Sequence, residues 1–262
     1  MFPVPARRSS RRPYRLRWVL GAALCLVSGV AFARYSNADL PPAFQKAPFL
    51  SMSLSVGSPI EGFQLRAKRL RETESLALKN AERKTAYGHP SLVLMLQRSA
   101  KQMAREASGA VLLVGDLSNE NGGPLAGHRS HQSGRDADVG FFVTDAKGRP
   151  KQLDHFVAFG ADGKAKDGSG LLFDDYRNWL LIQMWLKDSR AGIKYVFVAK
   201  PLRQRLLDFA NSRPAFKKYA EAAAVLLMQP SNSAAHDDHF HVRITCPKGQ
   251  EKLCVERVAV SD

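Results

Sequence analysis

The sequence predicts an α+β domain in which helices flank a central antiparallel β-sheet, and three observations carry that expectation. Apolar runs of strand length, residues 110–115 (AVLLVG), 138–143 (DVGFFV), 193–199 (IKYVFVA) and His239–Ile244 (HFHVRI), are interspersed with amphipathic stretches of helical length. Strands and helices do not alternate regularly enough for a doubly wound parallel sheet. From about residue 52 onward no repeat, low-complexity tract or long linker interrupts the pattern, so residues 52–262 read as one domain.

Taken in order, residues 34–51 read as an extended N-terminal segment around Pro41-Pro42. Residues 91–107 read as a helix with Leu92, Leu94, Met95, Leu96, Met103 and Ala104 on its apolar positions. Pro90 opens it, where a missing N–H is tolerated, and Gly109 stands just past its end. Residues 110–115 are short, apolar and partly β-branched, a buried strand. The strand at 138–143 is approached through a turn at 132–135 that contains Gly134. Residues 174–187 have helical spacing, with Trp179 and Trp185 as core or groove wall. A strand at 193–199, helices at 202–211 (behind Pro201) and 216–227, and the strand His239–Ile244 complete the set.

Composition bounds the function. At 262 residues, 45% hydrophobic and 24% charged, the chain can bury a sizeable core and is neither disordered nor a coiled-coil polymer. Three cysteines exclude a disulfide-dense scaffold and a four-cysteine zinc module. The net charge is +15, but six arginines between Arg7 and Arg17 supply part of it, leaving +9 on residues 34–262. That remainder favours polyanionic surroundings. No nucleic-acid reading motif accompanies it.

Residues 1–33 read as a secretory signal peptide: an arginine-rich start, the uncharged run 18–33 and the small-x-small end Ala31-Phe32-Ala33. The run falls short of the roughly 20 residues of a membrane span. Cleavage would remove Cys25 and leave Cys246 and Cys254, an even pair in an oxidising compartment. A short disulfide between them is one reading and two free thiols the other.

The main chemical signal is clustering of histidine. Five of the seven fall in two stretches, Gly127-His128-Arg129-Ser130-His131-Gln132-Ser133-Gly134-Arg135-Asp136-Ala137-Asp138 and His236-Asp237-Asp238-His239-Phe240-His241. On a strand, His239 and His241 share one face and Phe240 takes the other; Asp136 and Asp138 pair in the same way. If the two strands are neighbours, His131, Asp138 and His241 converge. Two imidazoles and one carboxylate suit zinc with a fourth position left for water, whereas a closed structural site would call for thiolates. Asp136 is either an alternative ligand or the partner that orients a ligand histidine. His89 and His155 stand apart and read more readily as structural.

These elements resemble the penicillin-insensitive murein endopeptidases, within the lysostaphin/D-Ala-D-Ala metallopeptidase group. The likeness rests on His131-x6-Asp138 and His239-x-His241, with Ser55-Val56-Gly57-Ser58, Tyr87-Gly88-His89-Pro90, Val114-Gly115-Asp116, Gly122-Gly123-Pro124 and the stretches 127–134 and 236–243. It covers roughly residues 52–255. The resemblance implies Zn2+ held by His131, Asp138 and His241, with His128, His236 and His239 as further active-site histidines. It also implies a periplasmic enzyme that hydrolyses peptidoglycan cross-links between D-alanine and diaminopimelate, and a Cys246–Cys254 disulfide. Residues 144–170, rich in Gly, Asp and Lys, depart from the family pattern.

A zinc peptidase needs a base, yet no His-Glu-x-x-His motif is present. The expectation is that His239 acts as general base and that His128 or His236 stabilises the oxyanion or donates to the amine. Ser130 and Ser133 lie outside a Gly-x-Ser-x-Gly elbow and read as loop hydroxyls. The competing functions are a zinc D-Ala-D-Ala carboxypeptidase or dipeptidase and a non-catalytic peptidoglycan-binding protein.

Overall fold

A computed structural model describes residues 35–231 and 233–256. The leader reading at residues 1–33, with Cys25, lies outside the described residues. The elements that position the site are β1 (Leu54–Ser58), β2 (Glu61–Leu65), β3 (Leu76–Leu78), α1 (Pro90–Glu106), β4 (Leu112–Val114), β5 (Asp136–Gly140), α2 (Asp175–Lys187), β6 (Ile193–Phe197), α3 (Lys200–Asn211), α4 (Ala220–Leu226), β7 (Leu227–Met228) and β8 (His239–Ile244).

The fold is α+β, as expected. Six strands form the main sheet in the order β7-β6-β8-β5-β4-β3. Its centre, β6-β8-β5-β4, is antiparallel, but the edge strands β7 and β3 pair parallel to their neighbours, which the sequence pattern did not specify. Both edge pairings are only two or three residues long, too short to leave a period of their own in the sequence. The hairpin β1–β2 packs a small separate core of Leu40, Leu54, Leu65 and Leu253. Residues 37–39 and 42–44, within the segment expected to be extended, coil into two single 3-10 turns. Ser36 and Asp39 cap the first reciprocally, and Pro42 opens the second.

Alternation along β5 and β8 divides the sheet into two functions. Ala137, Val139, Phe240, Val242 and Ile244 enter the main core, where Phe240 meets Trp185 at 5.9 Å between ring centroids. Trp179 and Trp185 are fully buried core residues, not groove wall. The residues between them, on the other sheet face, carry the polar cluster described below.

Helix boundaries follow local chemistry. His89 caps α1 by accepting from Ser91 N–H, and Pro90 takes the first helical position. The buried face of α1 includes Val93, while Leu94 and Ala104, expected inside, face solvent. The helix expected over 216–227 is shorter. A turn at Pro214–Lys217 precedes α4, and Leu227 leaves the helix to pair with Val196 of β6. No helix among the described residues is long and apolar enough to cross a membrane.

Candidate metal centre

Pairing of β5 with β8 places Asp138 directly opposite His241, Asp136 opposite Arg243 and Gly140 opposite His239. The two-residue period therefore gathers Asp136, Asp138, His239, His241 and Arg243 on one sheet face. His131 arrives from the loop before β5. Its backbone lies in the left-handed region at φ 70°, uncommon for a residue with a side chain and often found where a side chain must be aimed. Gly134 bends the same loop at φ 71°, where a Cβ would fall 1.8 Å from Gln64 Oε1, so glycine is required there.

Three atoms form a nearly equilateral triangle. His131 Nε2 stands 3.3 Å from Asp138 Oδ1, His241 Nδ1 stands 3.1 Å from the same oxygen, and the two nitrogens are 3.3 Å apart. Ligands about 2.0–2.1 Å from a tetrahedral ion are separated by roughly 3.3–3.4 Å, so these edges suit such an ion. The outer nitrogens fix where the lone pairs point. His131 Nδ1 is 2.5 Å from the Leu117 carbonyl and His241 Nε2 is 3.1 Å from Asp136 Oδ1. Both partners can only accept, so each outer nitrogen carries the proton and each inner nitrogen presents a lone pair. Asp138 Oδ1 is buried and accepts no hydrogen bond among the described residues. A buried carboxylate oxygen facing two lone pairs is the arrangement a cation completes.

Electrostatics agree. Burial by itself would raise Asp138, but the positive field of the neighbouring histidines, His131 foremost, holds it well below the usual carboxylate range, as a cation in the triangle would. Burial would lower His131, and the carboxylates of Asp138 and Asp136 outweigh it. Asp136 stays ionised because Arg243, whose Nε donates to Oδ1 at 2.5 Å, overcomes its burial.

The other clustered histidines surround the triangle. His239 Nε2 lies 3.4 Å from Asp138 Oδ1 and its Nδ1 lies 2.6 Å from Asp238 Oδ1. Burial opposes protonation of His239, yet these two carboxylates carry its pKa up to about 9. His128 Nε2 is 3.1 Å from Asp116 Oδ2, and its Nδ1 approaches Asp138 Oδ2 at 3.7 Å. His236 sits 5.4 and 5.6 Å from the rings of His239 and His241. Its Nδ1 is buried without a partner among the described residues, and burial with the neighbouring histidine charges pushes its pKa down to about 3.

All six residues nominated from sequence, His128, His131, Asp138, His236, His239 and His241, thus line one cleft of about 670 Å³. His89 is at the α1 cap instead, and His155 is exposed beside Asp154. Ser133 is buried beneath the loop, and neither Ser133 nor Ser130 bonds a histidine among the described residues. Sequence reasoning gave no role to Asp116, which holds Thr85, Arg83 and His128 together, nor to Phe156, which stacks on His239. Asp116 stands in the Val114-Gly115-Asp116 element of the resemblance; Phe156 had no signal. Burial would raise Asp116, but His128, Thr85 and Arg83 bring it down to about 2. The cysteines do pair: a Cys246–Cys254 disulfide follows β8.

Residues 55–262 match the family model described as penicillin-insensitive murein endopeptidase. A curated protein of that name from Salmonella typhimurium is 27% identical over 203 residues, which is 76% of this chain and 69% of the relative. Another from Haemophilus influenzae is 31% identical over 175 residues, 62% of this chain and 52% of the relative.

Proposed function

The chain belongs to the penicillin-insensitive murein endopeptidase family, and from that premise we propose that residues 52–262 are a zinc-dependent endopeptidase acting in the periplasm. Its substrate is cross-linked peptidoglycan, cut at the amide joining D-alanine to diaminopimelate. The observation that carries the metal is the triangle of His131 Nε2, Asp138 Oδ1 and His241 Nδ1 with its outward tethers. The signal-peptide reading of residues 1–33 and the family's substrate together support the compartment.

Zinc in that triangle would supply Lewis-acid polarisation of the carbonyl and would bring the pKa of water down to about 7. The remaining chemistry belongs to the protein. His239 has its Nδ1–H on Asp238 and turns Nε2 toward Asp138, whose charge holds a proton there; a cation on Asp138 would offset that carboxylate and free Nε2 to take the proton of the attacking water. Asp238 then stabilises the imidazolium. When protonated, His128, clamped by Asp116 through Nε2, would turn its second N–H to the developing oxyanion or to the departing amine. Among the described residues His236 pairs with no carboxylate and packs against the His239 and His241 rings, which suits a positioning role.

Room for substrate on both sides favours an endopeptidase over a carboxypeptidase. The main cleft and a second recess of about 490 Å³ share His128, Asp138 and His239, so a chain can continue past the reacting centre in either direction. The test is digestion of purified muropeptide dimers, read by mass. Monomers should appear, a chelator should abolish them and zinc should restore them. Full hydrolysis without metal would overturn the mechanism, and release of free D-alanine would favour the carboxypeptidase.

A further inference from the structure

The second recess has a built wall. It is bounded by Lys79, Arg83, Phe156 and the His128–Asp138–His239 group. Phe156 comes from the segment 144–170, rich in Gly, Asp and Lys. The sheet seats its ring by omitting two side chains. A Cβ on Gly115 would stand 2.7 Å from Phe156 Cζ, and one on Gly140 would stand 3.1 Å from Cε1. From that seat the ring stacks on His239 at 5.0 Å and carries the Lys79 ammonium 4.4 Å from its centroid.

The charges around the recess are mostly spoken for. Arg83 is committed to Asp116 at 3.1 Å, and Asp116 also bonds Thr85 and His128. Asp238 is hydrogen-bonded to His239 and feels the Lys79 charge only at longer range, and Asp138 is itself a corner of the triangle. Lys79 is fixed at its backbone, which donates to the Val114 carbonyl at 2.8 Å, while its ammonium makes no ion pair among the described residues. A half-buried cation on an aromatic face, one ring away from His239, is placed to meet an anion of the substrate.

Resting on the endopeptidase reading above, we propose that this recess receives the residue on the amine side of the scissile bond and that Lys79 is the counter-ion of a carboxylate on that residue. The chemistry of the cross-link selects the side. The acyl-side residue has no free carboxylate, because its carboxyl is the bond under attack. The amine-side stereocentre carries one on the carbon bonded to the scissile nitrogen, so this anion stays within one residue of the reacting carbonyl. Phe156 holds the cation at that spacing and keeps water from one flank.

The experiment compares two ligands that differ only in that carboxylate, free or amidated. Calorimetry measures binding of the amine-side product, a monomeric muropeptide, to the wild type, Lys79→Met and Lys79→Arg. Hydrolysis of the matching dimers is followed in parallel. Lys79→Met should weaken binding of the free-carboxylate product about tenfold, raise KM for its dimer and leave the amidated pair within about twofold. Lys79→Arg should restore most of the difference. Equal effects on both ligands, or none on either, would overturn the subsite. A carboxylate-dependent binding difference with no hydrolysis by the zinc-loaded wild type would instead remove the endopeptidase reading and leave the subsite standing.

Discussion

Asp136 Oδ1 lies 3.1 Å from His241 Nε2, on the edge of the imidazole opposite to Asp138. The same carboxylate accepts from the His131 backbone N–H through Oδ2 at 3.2 Å. One buried anion therefore orients both histidines of the triangle, and Arg243 keeps it charged. The sequence left Asp136 open between ligand and orienting partner; its geometry supports the second.

Asp136→Asn should weaken zinc binding by about 10–100-fold, because the amide no longer offers a charged acceptor to the ligand imidazole. Competition against a chelating dye measures it, with far-UV circular dichroism as the control for folding. Asp136→Ala should cost roughly 3–5 kcal/mol as well, since Arg243 is left buried without its anion.

Ligand and base substitutions should separate. His131→Ala and His241→Ala each remove one corner of the triangle and should abolish stoichiometric zinc. His239→Ala should retain zinc and lower kcat by about 10²-fold or more, the scale of a lost general base. Metal analysis of the purified variants beside muropeptide turnover checks both. A His239→Ala enzyme that remains fast would remove the base assignment.

What the sequence made legible was periodic or clustered. The alternation His239-Phe240-His241 announced one functional and one core face, and Asp136-Ala137-Asp138 did the same on the strand that proves to be its neighbour. Grouped histidines marked the cleft. Contacts made by generic groups left no trace. The Leu117 carbonyl that fixes the His131 tautomer is a backbone atom, identical at every position. Phe156 reaches His239 from a loop whose composition resembles a solvated turn, and its seat is announced only by two glycines separated in sequence. The parallel edge strands were equally hidden, since two or three residues are too few for a period.

Acid should destabilise the fold through His89. This residue caps α1 with a neutral Nδ1 that accepts from Ser91 N–H at 3.2 Å, and burial pushes its pKa down to about 4. Against about 6.5 in the unfolded chain, the folded state resists protonation. The contribution is therefore complete above about pH 6.5 and is lost as pH falls through about 4. Its size is up to ~3 kcal/mol. Denaturant unfolding at pH 7 and pH 4 should show the wild type losing more stability than His89→Asn, where a non-titrating cap replaces the imidazole. Equal losses would remove His89 as the cause.

The Cys246–Cys254 disulfide should stabilise the domain without tuning the metal. It closes a loop of sequence separation 8, for which chain entropy gives roughly 2–3 kcal/mol. The strap it pins is bonded to β1 on both sides of Gly57, through Gly57 N–H to the Leu253 carbonyl and Val255 N–H to the Gly57 carbonyl. Buried Arg135 reaches the same strap, donating to the Val255 carbonyl at 2.9 Å and pairing with Glu256 at 3.2 Å. These contacts survive loss of the sulfur bond, and the tethers of the triangle, the Leu117 carbonyl and Asp136, do not involve the strap. The double variant Cys246→Ser/Cys254→Ser should therefore melt about 5–10 °C lower while binding zinc within about threefold of the wild type. A large fall in zinc affinity would mean that Arg135 transmits strain from the strap to Asp136, its neighbour in β5, and that the disulfide belongs to the machinery of the site.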